Sequence, residues 1–334
     1  MANRMHRVLV VGVGSIGERH LRCFQATGRA ELSLCEVTPG LRQAVAVRYN
    51  VANAFAELAA GLEQRPDAVV IATPAPFHVP MALQAAAAGC HLLIEKPLST
   101  SLDGIEELAA LVAAKNSLVS IGYTWRSHPS LEAMRAAIAD GRFGAPVELI
   151  VTSGQHFPTF RPAYRDIYFT RHETGGGAIQ DGLTHMFNLG EWLLGPIDRL
   201  AADAAHLVLE GVDVEDTAHV LARHGRVLAT YSMNLHQAPN ETTVTVICER
   251  GTVRFESRQQ RWRWLDMPEP NGQWRDEPHP PFDRDFLYVR QAEAFLDLLD
   301  GVRPPLCTLA EGIQTLKVNL AALRAAAEQN WQSI

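Results

Sequence analysis

The chain has 334 residues, enough for two domains or one large and one small. Apolar residues make up 47% and charged residues 20%, which excludes a disordered or fibrous chain. Thirty Lys plus Arg against 37 Asp plus Glu give a net charge of −7 with no strong basic run, so nucleic-acid binding by bulk electrostatics is excluded too.

Arg4, His6 and Arg7 precede the short apolar run Val8–Val13. Glycines follow it rather than a small-residue cleavage site, so it reads as a buried first strand and not a signal peptide. No stretch approaches the ~18 consecutive apolar residues of a membrane helix. Further apolar runs lie at Leu32–Cys35, Ala68–Ala72, Leu92–Ile94 and Leu118–Ile121. Helical segments are predicted between them, near 15–27, 40–49, 76–88 and 101–115. In the last, Leu102, Ile105, Leu108, Leu111 and Val112 recur at helical spacing, and Thr100 with Asp103 resembles a capping box. Apolar strands alternating with helices predict a doubly wound parallel sheet over about 1–122.

After Tyr123 the pattern changes. A helix near 129–140 precedes alternating strands at Val147–Ser153, Thr217–Arg223, Val227–Met233, Thr242–Cys248 and Thr252–Glu256. Short turns such as His224-Gly225 and Arg250-Gly251 predict an open, mostly antiparallel sheet. Five prolines in 266–283 read as a long loop, and 286–300 and 309–329 are helical again. The expected division is 1–123 for a Rossmann domain and 124–305 for a substrate and oligomerisation domain. A C-terminal helical segment, 306–334, is expected to pack back on the first. The five cysteines (Cys23, Cys35, Cys90, Cys248, Cys307) lack CxxC spacing, which points to reduced, buried thiols in the cytoplasm.

Gly12-Val13-Gly14-Ser15-Ile16-Gly17 follows the first strand and opens a helix, and Glu36 ends the second strand. This is the context a dinucleotide-binding G-x-G-x-x-G requires. Gly12 permits the tight turn, Gly14 lets backbone approach a pyrophosphate, and Gly17 lets helix and strand pack closely. The helix start at Ser15 and Ile16 offers N–H groups and a positive dipole end to phosphates. Glu36 would bind ribose hydroxyls and repel a 2′-phosphate, so NAD is favoured over NADP.

Three more motifs follow: Ala72-Thr73-Pro74-Ala75-Pro76-Phe77-His78, Glu95-Lys96-Pro97, and Gly175-Gly176-Gly177-Ala178-Ile179-Gln180-Asp181-Gly182-Leu183-Thr184-His185. With the glycine fingerprint, the chain resembles the glucose–fructose oxidoreductase / inositol dehydrogenase / MocA family over essentially its whole length. The resemblance implies a Rossmann domain and a C-terminal α/β domain with an open sheet. It further implies hydride transfer between a nicotinamide cofactor and a sugar-like substrate, and pairing of subunits through that sheet.

The same residues carry a chemical reading of their own. Thr73 and Pro74 end a strand at the carboxyl edge, where ligands bind in such sheets. His78, early in the next helix, is a candidate cofactor contact, as is Glu95, which otherwise orients Lys96. Lys96 at a strand end can bind a substrate hydroxyl and stabilise the developing alkoxide. Asp181 and His185 are four apart, on one helix face. The carboxylate would fix the imidazole's tautomer, and His185 would exchange a proton with a secondary alcohol or carbonyl.

Tyr123, Trp125, Arg126, His156, Arg161, Tyr164, Arg165 and Tyr168 are candidate substrate residues, mixing aromatic hydroxyls with planar cations suited to a polyhydroxylated or anionic ligand. From Tyr164-Arg165 through the glycines the chain is similar to members of that family associated with nonulosonic-acid and other surface-polysaccharide gene clusters, but it reads Gln180-Asp181-Gly182-Leu183-Thr184-His185-Met186-Phe187, without their usual His-Glu-Ile-Asp ending. His20, His128, His172, His206, His219, His224, His236 and His279 form no ligand motif, so no metal is expected. The expected activity is an NAD-dependent dehydrogenase or reductase of a sugar, sugar derivative or cyclitol. Alternatives are transient oxidation, as in NAD-dependent glycoside cleavage or sugar–sugar hydride exchange, and a non-catalytic cofactor-binding regulator. Thr243, Thr245 and Ile247 on one strand face, opposite Val244, Val246 and Cys248, predict a mixed outer face. That face suits a homodimer or a tetramer of dimers.

Overall fold

The apolar runs of the first third form one six-stranded parallel sheet in the computed structural model, which describes residues 5–267 and 272–334. Its strands are β1 (His6–Val11), β2 (Ala30–Cys35), β3 (Asn53–Phe55), β4 (Ala68–Ile71), β5 (His91–Ile94) and β6 (Val119–Ile121). Their spatial order, β3-β2-β1-β4-β5-β6, is that of the Rossmann sheet. Val8, Leu9, Val10 and Val11 are all buried because both faces of β1 are covered. The helices α1 (Ser15–Ala26), α2 (Pro39–Tyr49), α3 (Leu58–Glu63), α4 (His78–Ala87) and α5 (Ile105–Lys115) supply that cover. On one face Val8, Val10, Leu34, Val70 and Leu93 pack with Leu21 and Phe24 of α1. Each such side chain contributes about 1.5–3 kcal/mol on burial.

Two local expectations change. The helix expected from 101 starts at Ile105, because Gly104 takes φ +72° and interrupts it. Instead of a capping box, the Ser101 hydroxyl donates to Asp103 Oδ2 at 2.9 Å in the preceding turn. The domain boundaries also shift. One unit comprises the chain up to Ser127 with Phe282–Ile313, the other His128–Pro281 with Gln314–Ile334. The helix Arg284–Leu299 joins the first unit because its stripe of Ala292, Phe295, Leu296 and Leu298 enters the core around Phe24. The last helix, Leu309–Glu328, begins in the first unit, where Gly312 packs on Ile121. It continues in the second, where Asn319 Nδ2 donates to Thr184 Oγ1 at 2.9 Å.

The second unit holds a nine-stranded sheet. Its strands are β7 (Pro146–Gly154), β8 (Arg199–Ala205), β9 (Thr217–His224), β10 (Val227–Asn234), β11 (Glu241–Cys248), β12 (Gly251–Glu256), β13 (Arg261–Asp266), β14 (Arg275–Pro278) and β15 (Gln332–Ser333). The order is β14-β13-β12-β11-β7-β10-β9-β8-β15, and all neighbours are antiparallel except β7 and β10. The stretch expected as a long loop thus contains β14, at an edge where Pro278 is tolerated. Pro268 and Pro270 of that stretch lie outside the described residues. One sheet face, including Leu149, Val220, Tyr231 and Val244, is buried. Tyr231 packs against Phe187 of the helix Thr184–Leu194 with ring centroids 5.1 Å apart. Among the described residues no helix is long and apolar enough to cross a membrane.

Candidate functional site

The glycine turn joins β1 to α1 at the carboxyl edge of the first sheet, beside the end of β4. Gly12 has φ +77°, and a Cβ there would lie 2.9 Å from Thr73 Cγ2. A Cβ on Gly17 would lie 1.7 Å from the Gly12 carbonyl oxygen, so only glycine lets α1 start here. At Gly14 a Cβ would meet nothing, and no side chain caps α1. The amino end at Ser15 and Ile16 therefore opens on space fit for phosphates. Glu36 sits on the same rim. Its Oε2 accepts the Val13 N–H at 3.1 Å, and its Oε1 accepts the Thr38 N–H at 2.9 Å. The residues of this rim fit a dinucleotide whose ribose hydroxyls meet Glu36.

The ends of β4 and β5 carry Thr73, Pro74, Glu95 and Lys96. His78 is buried and ties these ends together. Its Nε2 is 2.8 Å from the Thr73 oxygen and its Nδ1 is 2.9 Å from the Pro97 oxygen. Burial pushes the imidazole below its ordinary pKa. A neutral ring has one N–H, for which the two carbonyls compete. His78 is thus an internal tie and not an exposed cofactor contact. Glu95 is buried as well. His20 Nε2 donates to Glu95 Oε1 at 2.6 Å, and Oε2 accepts the Lys96 N–H at 3.1 Å. Burial alone would raise the Glu95 carboxyl. The His20 bond and the charges of His20 and Lys96 outweigh it and hold the group below its usual range. Lys96 itself is half-buried.

In the second unit the three glycines have separate causes. Gly175 and Gly177 adopt φ +90° and +93°. A Cβ on Gly176 would lie 2.1 Å from the Phe169 oxygen. The segment Ala178–Leu183 is a π-helical turn, with the α-helix starting at Thr184, in place of the single α-helix expected. π-turns are frequent at functional sites. Asp181, buried in this turn, accepts from Arg161 Nη1 at 2.7 Å on Oδ2 and from the Tyr168 hydroxyl at 2.7 Å on Oδ1. The Arg161 guanidinium lies 4.8 Å from the centre of the Phe157 ring. Half-buried His185 follows in the first α-helical turn.

Sequence reasoning missed Glu215, which starts that π-turn. Its main-chain oxygen accepts the Ala178 N–H at 2.9 Å, and its Oε1 accepts the Ile179 N–H at 2.8 Å. His172 Nε2 donates to its Oε2 at 2.5 Å. That bond holds the His172 imidazole above its ordinary pKa. A Cβ on Gly177 would lie 2.5 Å from Glu215 Oε1, which is why the third glycine is there. The three consecutive glycines name no such partner in the sequence.

Other candidates are employed elsewhere. Arg126 is buried and donates to the Leu306 oxygen at 2.9 Å and to Glu311 Oε1 at 2.6 Å, so it braces the first unit rather than facing a ligand. Tyr164 is buried with its hydroxyl on the Glu210 oxygen at 2.9 Å, and exposed Arg165 pairs with Glu210. His156 Nδ1 lies 2.8 Å from Thr159 Oγ1, its ring 4.3 Å from that of His236. Tyr123 is buried and Trp125 half-buried in the turn after β6. All five cysteines are buried, and burial pushes the Cys23 thiol up to about 12, so none is poised as a nucleophile. A cavity of about 310 Å³ lined by His6, Arg7, Asp67 and His91 lies at the amino edge of the sheet, the end away from the glycine turn.

Two family models match the chain. The family model described as the GFO_IDH_MocA oxidoreductase family, NAD-binding Rossmann fold, matches residues 6–123. The GFO/IDH/MocA C-terminal domain model matches residues 131–254. The 1,5-anhydro-D-fructose reductase of Ensifer adhaerens is 30% identical over 78% of each chain. The inositol 2-dehydrogenase of Rhizobium meliloti is 26% identical over 97% of this chain and 98% of its own. Among solved structures, the WlbA dehydrogenase from Bordetella pertussis in complex with NADH and UDP-GlcNAcA superposes with a TM-score of 0.86. It is 26% identical, with 100% of this chain and 99% of that one covered. A levoglucosan dehydrogenase complex with NADH and levoglucosan shares the fold, with a TM-score of 0.91 at 19% identity over 99% of this chain and 100% of that one.

Proposed function

The chain belongs to the GFO/IDH/MocA oxidoreductase family, and from that membership we propose that Lys96, Asp181 and His185 carry its hydride-transfer chemistry. The enzyme is an NAD-dependent oxidoreductase acting on a secondary alcohol or carbonyl of a sugar, sugar derivative or cyclitol. Bound at the glycine turn, NAD supplies the hydride acceptor or donor. In the oxidising direction His185 takes the hydroxyl proton, and Lys96 holds the oxygen as negative charge grows on it. Asp181 orients the imidazole. The observation that carries the reading is Asp181 itself, buried as the fourth residue of the π-turn and fixed by both Arg161 and Tyr168. A carboxylate so fixed, one turn before a half-buried histidine, is the arrangement general-base catalysis needs.

Arg161 and Tyr168 are the substrate-side candidates that this chain brings to Asp181. The uronate-bearing UDP-GlcNAcA held by the WlbA neighbour supports a sugar acid or sugar nucleotide among the substrate classes. Five buried cysteines support a reducing, cytoplasmic setting. The outer face of the second sheet supports a homodimer or a tetramer of dimers.

The test is NAD+ reduction over myo-inositol, 1,5-anhydrohexitols, levoglucosan and UDP-N-acetylglucosaminuronate, followed by variants on the best substrate. Lys96→Met and His185→Ala are each expected to lower turnover by at least ~100-fold while NADH affinity stays within about threefold. Near-normal turnover in either variant removes that residue from the mechanism. No NADH from any of these classes overturns the substrate reading.

A further inference from the structure

His20 lies three residues after Gly17, on the buried face of the helix whose amino end forms the glycine turn. Glu95 directly follows β5 and precedes Lys96 in the chain. Both are buried, His20 at 0% and Glu95 at 5% exposure, in the same unit. Two hydrogen bonds make a continuous path from α1 to Lys96. The imidazole Nε2 donates to Glu95 Oε1 at 2.6 Å, and the other oxygen accepts the Lys96 main-chain N–H at 3.1 Å.

The surroundings are shaped to this pair. Tyr288 sets its ring edge-on to His20, with centroids 5.3 Å apart. Gly122 leaves room for the carboxylate, since a Cβ there would lie 2.9 Å from Glu95 Oε1. Two apolar side chains would fill this volume without removing ionisable groups from water, so packing alone does not account for the pair. What an apolar pair would lack is the directional hold on one backbone N–H, that of Lys96.

We propose that His20 and Glu95 are positioning residues, which fix the Lys96 backbone to the dinucleotide-binding helix so that filling the glycine turn sets the place of the Lys96 side chain. Neither touches the reacting atoms. The inference rests on the reading of Lys96 given above, and its test is read without any sugar substrate.

The chain has only three lysines, Lys96, Lys115 and Lys317, the last two exposed. Reductive 13C-methylation of the full chain therefore yields few dimethyl-lysine NMR signals, and Lys96→Arg assigns the one of interest. NADH is expected to move that signal in the otherwise unaltered chain. In His20→Leu and Glu95→Gln, NADH should still bind within about threefold by fluorescence titration, but the movement should fall below about a third. His20→Gln, whose amide nitrogen can replace Nε2, should restore more than about half of it. The proposal is overturned by a full movement in His20→Leu, by none in the parent at saturating NADH, or by equal loss in the Leu and Gln variants. A loss of NADH affinity beyond about tenfold in both pair-breaking variants also overturns it, because the pair would then serve the helix alone. Should His20→Leu not fold, the near-isosteric Glu95→Gln decides by the same readings. Normal turnover of Lys96→Met would instead sink the function reading, with this result unaffected.

Discussion

Arg161 Nη1 stands 2.7 Å from Asp181 Oδ2, and the carboxylate it meets is buried in a π-turn. The pair joins a residue of the loop after β7 to one twenty positions later in the chain. Tyr168 closes the other oxygen. Each oxygen of the Asp181 carboxylate thus accepts one of these donors, and the turn that holds it leads into His185.

Breaking this clasp should cost both stability and rate. Tyr168→Phe removes one donor from a buried carboxylate, which costs about 1–3 kcal/mol. Arg161→Met removes the charge as well and should be worse. Urea denaturation should show the stability loss, and on the role proposed for Asp181, orienting His185, kcat should fall at least ~10-fold. Unchanged kcat in Arg161→Met would show that the clasp serves folding alone.

Much of this was open to inspection in the sequence, and the reason is physical. Val8–Val11 before Gly12-Val13-Gly14 had to be a strand buried on both faces, because no half-exposed strand reads as a continuous apolar run. The same holds for β10, whose alternation from Val227 to Met233 matches its buried face. Helix Arg284–Leu299 was legible as a helix, but an apolar stripe does not say which core it enters, and Phe295 went to the first. Arg126 and Tyr164 looked like ligand residues by type alone. Their partners, Glu311 and Glu210, lie 185 and 46 residues away and no local pattern announces them. Glu215 was silent for the same reason.

We propose that Glu36 sets the cofactor preference. Its carboxylate is held at the rim of the glycine turn by the Val13 and Thr38 N–H groups. Like charges ~4 Å apart repel by roughly 1–4 kcal/mol between bulk water and a protein surface. NADH should bind at least ~10-fold more tightly than NADPH, and Glu36→Ser should narrow the ratio. Paired fluorescence titrations measure both. Equal affinities in the unaltered chain would remove Glu36 from this role.

His172 gives the stability a pH dependence. Its bond to Glu215 raises its pKa in the folded state. The folded chain therefore holds this proton more tightly than the unfolded chain does. The stabilisation is complete below the ordinary histidine value of about 6.5 and is lost as pH rises through the raised folded value. The stability difference between the unaltered chain and His172→Gln should thus be larger at about pH 5.5 than at about pH 9. The ring is partly exposed, so the effect is modest and falls with salt. A difference that grows with pH would show that the bond is made by the neutral ring.

The outer face of the second sheet bears on assembly. Across the strands one row reads Ala201, Leu221, Thr230, Ile150, Thr245, Arg254, Arg263 and Asp276. It is apolar and hydroxylic over β8 to β11 and charged over β12 to β14. Leu221 and Leu228, on this face, are 54% and 52% exposed, while Val244, Val246 and Cys248 of the opposite face are buried. Two copies related by a two-fold axis could set these apolar centres together, with the charged strands at the rim. Light scattering at micromolar concentration should then give at least twice the 36.7 kDa chain mass. Leu221→Glu with Leu228→Glu should lower the mass toward one chain, since a carboxylate pair facing its own image is repelled and desolvated. Far-UV circular dichroism would confirm that the variant still folds. An unaltered chain that runs as a single 36.7 kDa species and turns over substrate would leave this face a simple solvent surface.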